Sequence, residues 1–162
     1  MRKLLSLVIT FTLILSLFSC EEKEDFSHAE LNIPLSESFF RVDKENYDAA
    51  FTDGALVITV TRLSFAMCFE DGIPDTMNSG EFARFWINRS NIDTEPKKYA
   101  GVDIAEYNAK VDGYDYYYLS AFYRTRYAYF VVVFATDSSS REYRRDEILR
   151  YASSVYFLYD KE

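Results

Sequence analysis

The sequence has 162 residues, with 26 acidic against 18 basic side chains, a formal net charge of −8, one histidine and five glycines. An acid excess of this size argues against nucleic acid or anionic headgroups as the main partner, because both select a basic surface. His28 alone cannot serve a Ser-His-Asp or Cys-His nucleophile system or build a His-rich metal site, and so few glycines leave no phosphate-binding loop. The expectation is therefore no cofactor, no metal and no enzyme of those classes.

Arg2 and Lys3 open the chain, and Leu4 to Phe18 form an apolar run broken by Ser6, Thr10, Thr12 and Ser16. At about 1.5 Å per residue this run falls short of the roughly 20 residues that cross a bilayer, and it reads as an export signal over residues 1–19. Its end, Leu17-Phe18-Ser19-Cys20, resembles the lipobox of bacterial lipoproteins, with an aliphatic residue three before the cysteine and a small one just before it. That resemblance implies cleavage before Cys20, diacylglycerol on its thiol and commonly an acyl group such as palmitate on its amine. It further implies anchorage in a bacterial cell envelope, at the outer membrane of a Gram-negative cell, facing the periplasm or the surface. Two or three acyl chains hold a protein on a membrane, since each buried methylene contributes about 0.8 kcal/mol.

Cleavage leaves 143 residues with a net charge of −10, enough for one domain with a real core. Cys68 is then the only thiol not committed to lipid, so no intramolecular disulfide forms, and its apolar setting suits a small buried hydrophobe. The mature chain keeps 14 Tyr, 12 Phe and Trp86, an aromatic excess. Residues 20–34 read as an acidic flexible tether. Its start, Cys20-Glu-Glu-Lys-Glu-Asp25, resembles the acidic stretch that directs some Gram-negative lipoproteins to the cell surface. Residues 35–162 read as a single globular domain.

Within that domain, Phe39 to Val42 predicts a short strand, followed by a turn-rich stretch ending at Asp53-Gly54. The β-branched residues Val57 to Thr61 predict a strand over 55–65, and Gly72 with Pro74 predicts a loop over 70–75. Asn78 and Glu81 have capping-box spacing, and Phe82, Phe85, Trp86 and Arg89 recur at helical spacing, so a helix is expected over about 79–91. Residues 91–101 read as a loop. Asp112-Gly113 marks a hairpin in which Val111 faces Tyr114, Ala109 faces Tyr116 and Tyr107 faces Tyr118, on a side assigned to the core. The opposite side carries Glu106, Asn108, Lys110 and Asp115 and is expected to be wet near the tip. Tyr127 to Thr136 is apolar on both faces, as in a central strand covered twice. Ser139 and Glu142 suggest a second capping box, opening a helix that buries Ile148, Leu149, Ala152 and Val155. The chain closes on a short edge strand over 155–159.

The sum is an α+β domain, an antiparallel sheet of about five or six strands with two main helices. The order of Phe39–Val42, Leu56–Phe65, the Phe82 helix, the run from Ala105 to Thr136 and the closing Glu147-Ile-Leu-Arg-Tyr-Ala-Ser-Ser-Val-Tyr-Phe157 resembles the PsbP-like fold. That fold is an α/β/α sandwich found in extrinsic photosystem subunits and many small exported lipoproteins. The resemblance implies a fold and not a function.

The aromatic excess is the feature that points to a ligand, because Tyr rings stack on sugars and anchor protein partners. The candidate binding residues are Tyr117, Tyr123, Tyr127 and Tyr129 with Arg124 and Arg126, grouped near one turn. The competing reading is that these rings pack the sheet beneath its helices. The leading functional expectation is a non-enzymatic, lipid-anchored envelope domain that binds or supports another envelope component, with an envelope protein as a possible partner. A small-ligand binder with a Tyr-rich cleft, for example for carbohydrate, is the first rival. A carboxylate-based hydrolase using Glu70, Asp71 or Asp75 is the second. A protein partner requires a flat aromatic patch, a ligand a concave one, and a hydrolase two carboxyls in one pocket.

Overall fold

A computed structural model describes residues 30–158. In it, the β-branched run after Asp53-Gly54 forms strand β4 (Leu56–Ser64), where Cβ branching fits the pleat better than a helix. Three more long strands follow: β6 (Val102–Val111), β7 (Tyr114–Arg124) and β8 (Ala128–Asp137). The β6–β7 connection is Asp112-Gly113, both at positive φ (51° and 87°), which is the geometry of a type I′ hairpin. The hairpin register is the expected one: Val111 opposes Tyr114, Ala109 opposes Tyr116 and Tyr107 opposes Tyr118.

These strands form the centre of a seven-stranded sheet in the order β2-β3-β4-β8-β7-β6-β5, antiparallel throughout. Short members β2 (Phe40–Arg41), β3 (Ala49–Thr52) and β5 (Lys97–Tyr99) complete it. A separate two-stranded sheet pairs β1 (Glu30–Asn32) with β9 (Tyr156–Leu158). The fold is thus α+β, with three helices: α1 (Phe65–Glu70), α2 (Ser79–Arg89) and α3 (Arg141–Ser154).

Several local expectations need correction. β3 and β5 lie in stretches expected to be irregular, and each is held by pairing with a long neighbour and not by its own composition. β1 lies inside the segment expected to be tether, paired with β9. The strand expected over 55–65 stops at Ser64, whose hydroxyl accepts the Met67 amide at 3.2 Å and so caps α1. At α2 the capping box forms: Asn78 Oδ1 accepts from the Glu81 amide (3.0 Å), and Glu81 accepts from the Asn78 amide (2.8 Å). At α3 it does not. Asp137 instead caps a 3-10 turn, Ser138–Ser140, that leads into the helix, and Ser140 makes no capping bond.

Alternation along the strands divides the side chains into two sets. On one face Ile58, Leu119, Val132 and Phe134 are fully covered by α3 through Ile148, Leu149, Tyr151 and Ala152. On the other, α1 and α2 bring Cys68, Phe82, Ala83 and Ile87 onto Leu63, Phe122, Tyr129 and Val131. Helices therefore layer both faces of the sheet. Their reach differs: the second pair covers the end of β7 and the start of β8, and among the described residues no helix lies over the start of β7 and the end of β8. Residues 1–29 and 159–162, which include the expected signal and Cys20, lie outside the described residues.

Candidate functional site

The helix-free half of that second face is a groove of about 700 Å³. Its floor is Val57 and Thr59 of β4 with Val133 and Ala135 of β8. One wall is aromatic, with Tyr107 of β6 and Tyr116 and Tyr118 of β7. The other is the β2–β3 connection, from which Lys44 and Tyr47 line the cleft. Tyr107 and Tyr118 stack with ring centres 5.2 Å apart and planes within 9°, and Tyr116 tilts against Tyr118 at 6.2 Å and 51°. Hairpin register produces this cluster, since Tyr107 and Tyr118 are directly opposed across β6 and β7 and Tyr116 is two residues along on the same side.

The phenols of Tyr107 and Tyr118 are shifted upward, chiefly by burial, with Tyr47 close enough to add to both shifts. Both are neutral hydrogen-bonding groups at physiological pH. Among the described residues, Asp137, at the end of β8, is the lining's only carboxylate, and Lys44 its only cation. The Ser139 hydroxyl and amide both donate to Asp137 and hold its pKa below the ordinary carboxylate range. Such a carboxylate is a poor proton donor near neutral pH, and a cleft with one acid lacks the pair that glycoside hydrolysis uses.

The residues singled out in the sequence lie elsewhere. Tyr117 is fully buried on the α3 face, its hydroxyl donating to Glu106 at 2.8 Å. Tyr123 is on that face too and donates to the Ala152 carbonyl at 2.6 Å, near the end of α3. Tyr129 is fully buried under α2, stacked on Phe82 at 4.1 Å, with its hydroxyl donating to the carbonyls of Pro74 and Met77. Burial raises the pKa of all three. Arg124 is exposed, bonded to the Asp75 carbonyl at 3.1 Å and lying over Phe65, while exposed Arg126 lies over half-buried Tyr127. These six residues line no common cleft, because three of the rings are packing and the β7–β8 turn lies at the far end of both strands from the groove. Glu70, Asp71 and Asp75 are exposed.

The groove tyrosines belong instead to the set assigned to the core. Their sharing of one side is correct; the side is only half covered. The other side of the hairpin is exposed at Asn108, Lys110 and Asp115 near the tip, as expected, but not at Glu106. Its carboxylate binds Arg145 through two nitrogens (2.8 and 2.9 Å), Lys97 (2.7 Å) and the Tyr117 hydroxyl, which ties α3 and β5 to β6. A signal for the groove was present in the pairing of Tyr107 with Tyr118 and of Ala109 with Tyr116: two tyrosines in register beside a small residue leave room above the sheet.

No family model matches the sequence, and no curated relative does. Solved structures do. A crystal structure from Bacteroides thetaiotaomicron VPI-5482 superposes with a TM-score of 0.54 at 11% identity, over 84% of this chain and 49% of that one, so this chain spans about half its length. The likeness is one of fold. Cyanobacterial PsbP from Synechocystis sp. PCC 6803 aligns at a TM-score of 0.44 and 14% identity, over 86% of this chain and 98% of that one. LpqN, described as involved in cell envelope biogenesis of Mycobacterium tuberculosis, aligns at 0.44 and 8% identity, over 83% and 87%.

Proposed function

We propose that this chain is a lipid-anchored protein of the bacterial envelope whose domain is a non-catalytic binding module, and that it binds in the tyrosine-lined groove. The anchor reading rests on the apolar run ending in Leu17-Phe18-Ser19-Cys20. Among the described residues no helix is long and apolar enough to cross a membrane. The observation that carries the binding reading is the half-bare sheet face. A concave surface of about 700 Å³ with aromatic walls and scattered hydroxyls has the size and mixed chemistry of a small-molecule site. A flat aromatic patch, as a protein partner would want, is not what the tyrosines form.

Two measurements test this. Metabolic labelling with a fatty acid should mark the protein, and Cys20→Ala should abolish the label and release the protein from the membrane fraction. A wild type that takes no label, with a Cys20→Ala variant whose fractionation is unaltered, removes the anchor reading. For the groove, a photoreactive residue placed at Tyr116 in intact cells should capture an envelope component that the same probe at Tyr143, exposed on α3, does not. Equal capture at both positions, or none at Tyr116, overturns the groove.

A further inference from the structure

We infer that the groove's occupant is a neutral glycan, with a sugar ring laid on the tyrosine wall; this rests on the groove being the binding site. Three features of the lining select that chemistry.

The first is the platform. Tyr107 and Tyr118 hold each other in a stacked pair, and Tyr116 leans on Tyr118, so the wall is ordered before anything binds. A pyranose presents a face of C–H bonds that is apolar while its rim is hydroxylated, and an aromatic face accepts the former without disturbing the latter. Pre-formed rings bind at little entropic cost.

The second is the density of hydroxyls around that platform. Thr59, Ser140 and the tyrosine phenols line the same cleft. Among the described residues, no side chain bonds the hydroxyls of Tyr47, Tyr116 or Tyr118, and Tyr107 makes one long contact of 3.5 Å to Ser120. An acyl chain seated here would strip water from these groups and return no hydrogen bond, which costs free energy at each one. A sugar rim returns donors and acceptors to all of them. A peptide added as a strand is excluded on other grounds, because β4, β8 and β7 are bonded on both sides and only their side chains face the groove.

The third is charge. Lys44 and Asp137 cancel within the lining, and the mature chain around it carries −10. A sulfated or uronic acid glycan would approach against that field with a single cation to receive it.

The test uses the full lipidated chain, purified in a detergent without a sugar headgroup, and calorimetric titration with neutral oligosaccharides built on glucose, galactose, mannose and N-acetylglucosamine. An anionic glycan and a phosphatidylcholine vesicle form the other arms. At least one neutral oligosaccharide should bind, and Tyr116→Ala and Tyr118→Ala should each weaken it about tenfold or more, while Tyr143→Ala leaves it unchanged. Tyr118→Phe keeps the ring and the fold, so it should retain most of the affinity if stacking is the main contact. Binding that ignores the groove variants, preference for the anionic glycan or the vesicle, or silence with every neutral sugar overturns the inference. Silence with sugars alongside specific capture from Tyr116 in cells means the groove stands and its ligand class is wrong; silence in both removes the two together.

Discussion

Glu106 shows how much one side chain can organise. Its bonds to Arg145, opposed by burial and helped by Lys97 and Tyr117, hold its pKa down to about 2 from an ordinary 4.5. A carboxylate with a folded value below its unfolded one stabilises the fold fully above about pH 4.5 and loses that contribution as pH falls toward 2. Glu106→Gln should therefore cost about 1–3 kcal/mol at pH 7. In urea titrations the gap between variant and wild type should close between pH 4.5 and 2. A gap independent of pH would assign the loss to shape and not to charge. The same saturation makes Glu106 unfit for proton transfer, since a base with every lone pair taken has nothing to offer a substrate.

At the scale of elements, the helices differ in how they begin. Asn78 accepts from an orphan amide at the start of α2 and in return donates its own amide to the Glu81 carboxylate, whereas Ser140 at the start of α3 satisfies none. Asn78→Ala should cost about 1 kcal/mol in denaturant titration, and Ser140→Ala less than about 0.5 kcal/mol. Gly80 matters beside Asn78 for a different reason. A Cβ there would sit 3.2 Å from an oxygen of Asp103, the buried carboxylate that receives the Ser79 hydroxyl at 2.6 Å and Lys98 at 2.8 Å. The missing side chain thus lets the first turn of α2 dock on β6. For α3, anchorage comes from the Arg145–Glu106 pair, from Arg144 to Asp53 (3.0 Å) and from its apolar side. Arg144 and the amides of Ala55 and Leu56 together lower the Asp53 pKa against the opposing effect of burial.

At the scale of the domain, one sheet face is sealed among the described residues and the other half open, and stability should record the difference. Leu119 and Tyr118 are neighbours on β7 that point opposite ways, the first fully buried against α3 and the second half-buried in the groove wall. Leu119→Ala should cost about 2–5 kcal/mol, as full core truncations do, and Tyr118→Ala should cost less although it removes the larger side chain. Urea midpoints of the two variants compare them directly. An equal or larger loss at Tyr118 would mean the groove is core.

The sequence by itself determined the four long strands, the hairpin and its register, the α2 cap and the buried side of α3, because each depends on neighbours within about a dozen residues. The Asp-Gly turn sets which residues oppose one another, and alternation then sets which share a side. Only the tertiary structure decided how far a helix extends over each side, and that assigned Tyr117, Tyr123 and Tyr129 to packing and Tyr107, Tyr116 and Tyr118 to the groove. β3 and β5 were likewise illegible, since a three- or four-residue strand is stabilised by the long partner beside it. Period-two patterning says that two faces differ; which part of a face meets solvent depends on where α1 and α2 dock, through contacts that span most of the chain.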